Sequence, residues 1–161
     1  KREVFGNSYS ELFFLDEATA FAAGHRPCTC ARAKYQQFKQ AWCEANHAGQ
    51  TLTVAEWDKK LHAERLDDAK QKYHWQTPIS QLPVGSMFQY QDQCLVIAPD
   101  RRLLIWQFEG YKQTLSLPDK TIVDVLTPPS IVKAFQHGYI PTLHPSADQL
   151  SLLQIAQLEH F

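Results

Sequence analysis

The sequence is poor in cysteine, glycine and methionine, and its charges nearly cancel. It has four cysteines, six glycines and one methionine, and 16 basic residues stand against 17 acidic ones. Four unevenly spaced cysteines are too few for a secreted disulfide framework, so we expect a reducing, cytoplasmic location. No apolar run reaches the roughly 18–20 residues that cross a bilayer and no signal peptide opens the sequence, so we expect no membrane contact. A net charge of −1 excludes a protein that is basic along its whole length.

Hydrophobic residues make up 44% of the 161 positions, enough for one compact domain or a small domain with a second subdomain. Proline is distributed unevenly, because Pro27 is the only one of nine prolines that precedes residue 77. Proline is excluded from helix interiors, so the first part can be helical and the second cannot be mainly so. We therefore predict a helical subdomain over residues 1–77 and a β-rich subdomain over residues 78–161.

The first part is predicted to hold one strand, over residues 9–15, followed by three helices. Asp16 is expected to cap a short helix that runs to Ala23 and stops at Gly24. A longer helix over residues 31–46 is predicted from apolar residues at helical spacing. Its buried stripe would comprise Tyr35, Phe38, Trp42 and Ala45. The third helix would start at a capping box, Thr53 to Glu56, and bury Val54, Trp57 and Leu61.

Short apolar runs bounded by Asp, Gly and Pro predict strands in the second part. The expected strands cover residues 87–90, 94–98, 103–107 and 121–126. They favour a small antiparallel sheet or half-barrel. Ser130 is expected to cap a short helix through His137, closed by Gly138, and a final helix is predicted over residues 146–159. The predicted fold class is therefore α+β, with helices first and a sheet after.

Two cysteines just before the second predicted helix are the most informative feature. Cys28 and Cys30 lie where the unpaired N–H groups and the dipole of a helix N-terminus favour thiolate over thiol. Because thiolates bind zinc, the pair is a candidate half-site for zinc. The alternatives are buried or unremarkable thiols, and a redox or nucleophilic pair. Cys43 would lie about 18 Å along the helix, too far to be a third ligand. The candidates for the remaining ligands are His25, Cys94, His62, His74, His144 and a preceding segment of chain.

The stretch Gly24-His25-Arg26-Pro27-Cys28 follows an apolar segment and a Glu-Ala-rich helix. Over residues 11–35 this arrangement resembles the second half of the metal-binding domain of the Ada DNA-repair and methylation-response proteins. That family holds zinc with four cysteines, contacts DNA, and takes a methyl group from a backbone phosphotriester onto one cysteine. The resemblance implies that Cys28 and Cys30 are zinc ligands.

The sequence departs from the Ada pattern in two ways. The family's methyl acceptor lies in an earlier cysteine pair, and no cysteine precedes Cys28 here, so the resemblance implies no acceptor. The family also has two residues between the later cysteines where this sequence has only Thr29. Since the sequence starts at Lys1 without Met, we expect a preceding segment to hold further ligands. Residues 61–67 and 126–130 are also similar to uncharacterised bacterial proteins with the same cysteine motif.

No acidic residue occurs between Ala18 and Cys43, although the whole chain is slightly acidic. The basic residues of this stretch are Arg26, Arg32, Lys34 and Lys39. Four positive charges could support weak, salt-sensitive contact with nucleic-acid phosphates; a solvated helix face is the alternative. Asp58 and His62, four residues apart, are interpreted as a surface hydrogen-bonded pair, with a ligand pair as the alternative.

The sequence therefore predicts a zinc-binding protein with an Ada-like half-site that contacts the backbone of DNA or RNA. Two other classes stay open. One is a metal-dependent enzyme that uses an open zinc position, and the other is a purely structural or protein-interaction module.

Overall fold

The computed structural model describes residues 15–49, 52–65 and 75–148. The α-helices in these ranges are α1 (Glu17–Ala22), α2 (Arg32–Ala45), α3 (Val54–Arg65) and α4 (Pro129–Gln136), and a 3₁₀ helix covers Ile79–Gln81. The strands are β1 (Trp75–Pro78), β2 (Met87–Tyr90), β3 (Gln93–Ile97), β4 (Leu103–Gln107), β5 (Gly110–Leu115) and β6 (Ile122–Val125). The α+β class is thus confirmed. Within the described ranges, every helix is too short or too polar to span a bilayer.

The six strands form one open antiparallel sheet in the order β1-β6-β2-β3-β4-β5. Two-residue turns join β2 to β3 and β4 to β5, and the longer segment 98–102 joins β3 to β4. Gln91 and Asp92, in the first hairpin, both have positive φ angles of 48° and 66°, as a two-residue hairpin turn requires. β6 inserts between β1 and β2, where Val125 pairs with both Trp75 and Phe88. The expected antiparallel sheet is confirmed, and it does not close on itself.

The sequence prediction missed β1 and β5, which form the two edges of the sheet. Edge strands carry polar and charged side chains because one of their sides stays open to water. β5 exposes Lys112 and Gln113, and β1 contains Gln76 and Pro78. Neither strand forms an apolar run, so hydrophobic pattern alone could not mark them.

The central strands β3 and β4 are buried on both faces of the sheet. One face packs around Phe88, Leu95, Ile97, Leu103 and Ile105, with Val132 from α4. The other packs around Met87, Val96, Leu104 and Trp106, with Ala18 and Ala22 from α1. This double burial explains why β3 and β4 appear as nearly continuous apolar runs in the sequence.

Trp57 is the centre of a separate cluster that joins α2, α3 and α4. Its ring is fully buried and stacks on Phe38 at 5.6 Å between centroids, with Tyr35 and Trp42 each at 5.7 Å. The core positions predicted for Trp42 and Trp57 are confirmed. Val54, which we expected in the same stripe, is 38% exposed because it lies at the first position of α3.

The predicted caps of the first and third helices are confirmed. The N–H of Thr19 donates to the Asp16 carboxylate at 2.9 Å, and that of Glu56 donates to the Thr53 hydroxyl at 3.1 Å. The cap predicted at Ser130 is wrong, because α4 begins one residue earlier, at Pro129, a residue type well suited to a first helical position.

Ser130 instead lies inside α4 and joins three helices. Its hydroxyl accepts from the indole N–H of Trp42 at 2.9 Å, and its carbonyl accepts from Asn46 at 3.0 Å. Its N–H donates to Glu64 of α3 at 3.0 Å. Glu64 therefore caps the N-terminus of α4 from a different helix. The boundary expected near residue 77 falls within β1, and this junction connects residues on both sides of it.

The first turn of α1 is also tied to β5 and to the loop after α4. The Asp16 carboxylate accepts from the Tyr111 hydroxyl at 2.7 Å, and Glu17 accepts from the Tyr139 hydroxyl at 2.9 Å. Burial, with the nearby carboxylate, raises the pKa of both tyrosines far above their usual value. The strand predicted over residues 9–15 and the helix predicted over residues 146–159 lie almost entirely outside the described residues, although residues 146–148 are described and are helical.

Candidate functional site

The loop between α1 and α2 carries the two candidate cysteines. Gly24 ends α1 with a φ of +86°, a conformation that other residues rarely adopt. The Gly24 N–H donates to the Phe21 carbonyl at 2.8 Å, and the His25 N–H donates to the Ala20 carbonyl at 3.0 Å. These bonds satisfy the last carbonyls of α1 and turn the chain away from the helix axis.

Cys28 and Cys30 are joined by a disulfide bond, with their Cα atoms 5.2 Å apart. Both cysteines and Thr29 between them are exposed, so of the alternative of buried or unremarkable thiols the buried part is wrong. The Cys30 N–H donates to the Cys28 sulfur at 3.2 Å. Ala31, the N-cap of α2, gives no side-chain hydrogen bond to the first turn. A thiolate at Cys28 would thus be stabilised by the Cys30 N–H and by the N-terminus of α2.

The described residues supply no complete metal site. Within them, no three His, Cys, Asp or Glu side chains are grouped so that they could hold a metal ion. Cys43 is fully buried in the helical cluster, in keeping with its exclusion on helix length. Burial raises the pKa of Cys94 to about 11, which keeps its thiol protonated at neutral pH. His74 lies outside the described residues. Because the described residues place no further ligand beside Cys28 and Cys30, their role as zinc ligands stays a prediction.

Arg26 fixes the cysteine loop to α3. Its guanidinium forms a two-point ion pair with Asp58, at 2.7 Å from Nε and 3.0 Å from Nη2. It also donates to the Pro27 carbonyl at 2.9 Å and lies over the rings of Tyr35 and Trp57 at 5.6 and 5.9 Å. The side chain is only 16% exposed. Asp58 thus pairs with Arg26, and the pairing with His62 expected from the sequence is wrong.

The other three predicted phosphate contacts lie along α2. Lys34 donates to the Thr142 hydroxyl at 2.6 Å and is 3.7 Å from the Glu17 carboxylate, so it holds α2 to the loop after α4. Arg32 is exposed and Lys39 partly exposed, seven residues apart on the helix. The four basic side chains therefore do not act alike. Arg26 and the exposed Lys34 form ion pairs within the protein, whereas Arg32 and Lys39 have no ion pair among the described residues.

The structure adds a pocket beside the cysteine loop that the sequence analysis did not predict. It has a volume of about 350 Å³. Its described lining consists of His25, Arg26, Asp58, His62 and Arg65. The spacing of the α3 members, at positions 58, 62 and 65, is the one sequence signal that could have indicated a shared helix face.

The chain matches no protein-family model, no curated protein and no solved structure. Functional assignment therefore depends on the geometry of the loop and on the sequence motif.

Proposed function

We propose that the protein binds zinc through Cys28 and Cys30 and that the loop carrying them contacts a nucleic-acid backbone. The proposal depends chiefly on one observation, that the two sulfurs meet on an exposed loop at the N-terminus of α2. Sulfurs that meet in a disulfide can also bind one metal ion once reduced, since each Zn–S bond is about 2.3 Å. Thiolates are soft ligands that suit zinc, and the resemblance to the Ada half-site supports the same roles.

Zinc in a structural site takes four ligands, so two more are required. The described residues bring no third ligand to Cys28 and Cys30, so the proposal takes both remaining ligands from outside the described residues. A reducing cytoplasm, as expected from the low cysteine content, would keep the pair as thiols. Zinc would then add to the dipole of α2 in favouring the thiolate form.

Metal analysis of purified, reduced protein tests the zinc site. We expect stoichiometric zinc in the wild-type protein and its loss in the Cys28→Ser, Cys30→Ser double variant. Cys94→Ser is the matched control, because it removes a thiol from β3 and should retain the metal. Absence of stoichiometric zinc from the reduced wild-type protein would overturn this proposal.

The proposed nucleic-acid contact uses Arg32 and Lys39, which lie on α2 without an ion pair among the described residues. Two phosphate contacts predict a slope of about −2 in a plot of log affinity against log salt. Titration of duplex and single-stranded DNA at several salt concentrations measures that slope. Arg32→Gln with Lys39→Gln should flatten it, whereas Lys112→Gln on β5 should not. Absence of binding at low salt would contradict the contact.

Thiol–disulfide exchange is a second candidate function, favoured by the bond between the two cysteines. A thiolate of a dithiol substrate would attack the Cys30 sulfur and break the S–S bond, and Cys28 would leave as a thiolate stabilised by the Cys30 N–H. The second substrate thiol, deprotonated, would then displace Cys30. The substrate would be oxidised to its disulfide while the pair is reduced to two thiols.

Turnover distinguishes this exchange function from a zinc site. With a dithiol substrate and glutathione disulfide as the oxidant, an exchange protein should accelerate oxidation and Cys28→Ser should abolish the effect. A protein that accelerates nothing, with or without a chelator, would refute it.

A further inference from the structure

Cys28 and Cys30 bring two soft metal ligands together on an exposed loop. Their Cα atoms are 5.2 Å apart and both side chains are exposed, so rotation about χ1 changes the separation of the sulfurs without moving the backbone. Two electrons from a dithiol reductant, which is oxidised to its own disulfide, convert the bond between them into two thiols. The reduced loop therefore presents two sulfur ligands to one ion.

The number of ligands separates the metals that suit this pair. Within the part of the chain that the structure describes, no third His, Cys, Asp or Glu joins the two cysteines. Zinc in a structural site requires four ligands, and magnesium and calcium require six or more, mostly oxygen atoms. Cu(I) is a soft ion that thiolates select, and two thiolates in a linear arrangement complete its coordination. The pair alone therefore suits Cu(I) better than zinc, magnesium or calcium.

The charges around the loop favour the complex that two thiolates form with Cu(I). Two thiolates at −1 each and one Cu(I) at +1 leave a net charge of −1. The Cys30 N–H donates to the Cys28 sulfur at 3.2 Å, and α2 begins directly after the loop without a side-chain cap from Ala31. Arg32, the first residue of α2, is exposed and adds a positive charge. The helix dipole and this guanidinium both stabilise a negative group at this end of α2.

We propose that reduced Cys28 and Cys30 bind one Cu(I) ion as its two ligands. As the ion binds, two S–H bonds break, two Cu–S bonds form, and two protons pass to water. Copper stays at +1, so the binding step itself consumes no oxidant or reductant. The inference goes beyond the proposed function, because it names a different metal and needs no ligand besides these two cysteines. Zinc content and Cu(I) affinity are measured separately, so either proposal can fail while the other stands.

Competition for Cu(I) tests the site. The full chain, reduced and kept free of oxygen, is titrated with Cu(I) in the presence of bicinchoninate, whose coloured Cu(I) complex reports the copper that the protein does not hold. We expect one Cu(I) per chain, bound more tightly as the pH rises because the thiols must lose their protons. Loss of an outer-shell partner alone weakens metal affinity about 10–100-fold, so loss of a ligand in Cys28→Ser or Cys30→Ser should weaken it by more than about 100-fold. Cys94→Ser is the matched control and should bind as the wild type does.

Alkylation covers the case in which a serine variant does not fold. Treating the folded, reduced Cys94→Ser protein with iodoacetamide modifies the exposed pair and spares Cys43, which is fully buried. This modification should abolish Cu(I) binding without any change to the loop sequence.

X-ray absorption at the copper edge of the loaded protein counts the ligands. We expect two sulfur neighbours and no nitrogen or oxygen neighbour. A third or fourth ligand atom would overturn the proposal. So would Cu(I) binding that survives the Cys28→Ser, Cys30→Ser double variant, or a wild-type protein that cannot withhold Cu(I) from bicinchoninate.

Discussion

Replacing Gly24 with alanine tests how the cysteine loop is held on α3. Gly24 has a φ of +86°, and a Cβ at this position would lie 2.4 Å from Cγ and 2.9 Å from Nε of Arg65. Ordinary contacts between such atoms are about 3.5–4.0 Å. Alanine must therefore displace the stem of Arg65 or shift the loop backbone, and either change threatens the Nε to Gly24 carbonyl bond.

Two contributions set the size of the effect. A left-handed backbone costs a residue with a Cβ about 1–2 kcal/mol. Overpacking against the Arg65 stem adds about 1–3 kcal/mol. We expect Gly24→Ala to lower the free energy of unfolding by about 3 kcal/mol, which for a chain of this length lowers the Tm by about 6–12 °C.

Gly138→Ala is the matched control, because Gly138 has a φ of +113° and a Cβ added there would meet nothing within 4 Å. It should show only the backbone cost. Urea unfolding followed by tryptophan fluorescence measures both variants. In an Arg65→Ala background, which removes the clashing Cγ, Gly24→Ala should cost about as little as Gly138→Ala. Equal losses for the two glycine variants in the wild-type background would refute the steric argument.

Three further predictions concern the ion pair of Arg26, the bond between the two cysteines, and the two buried tyrosines that donate to the start of α1. Asp58→Asn should lower the free energy of unfolding by about 1–2 kcal/mol in urea titrations, because the largely buried Arg26 loses its charged partner. The loss should not be larger, since the Asp58 side chain is 46% exposed. An unchanged unfolding midpoint would contradict a stabilising role for this ion pair. Reducing the Cys28–Cys30 bond should lower the free energy of unfolding by at most about 1.6 kcal/mol, since so short a loop constrains the unfolded chain little. A larger loss of stability in urea unfolding on adding reductant would contradict this. Burial raises the pKa of Tyr111 and Tyr139, so these tyrosines lose their protons more readily in the unfolded chain. Stability should be complete below about pH 10 and fall above it. Tyrosinate absorbance from all six tyrosines before the unfolding transition would argue against this.

Local signals explain most of what the sequence predicted. The cap at Asp16, the capping box at Thr53 and the aromatic stripe of α2 each depend on residues within one or a few turns of the same helix. The central strands were found because both of their faces are apolar. The edge strands were not, since their polar side chains face water and their identity depends on a partner strand far along the chain.

The candidate site likewise has features that the sequence reveals and features that depend on residues far apart in the chain. Cys28 and Cys30 stand out as a short motif before a helix, which sequence alone reveals. The partners of Arg26 and Arg65 do not, because Asp58 is 32 residues from Arg26 and Gly24 is 41 residues from Arg65. A basic side chain looks identical in sequence whether it faces solvent or a carboxylate on another helix, so only the tertiary structure separates the internal ion pairs from the exposed charges.

The junction at Ser130 makes the helical and sheet parts thermodynamically interdependent. Trp42, Asn46 and Glu64 satisfy the hydroxyl, carbonyl and N–H of one residue in α4, and Val132 of the same helix packs on the sheet. Removing the first helices would leave these polar groups unsatisfied at the start of α4. A ligand bound near the cysteine loop would therefore stabilise the sheet as well. Unfolding of the sheet, followed at Trp106 in β4, should therefore shift when a ligand binds near the cysteine loop, although Trp106 belongs to a different hydrophobic cluster from the helices of that loop.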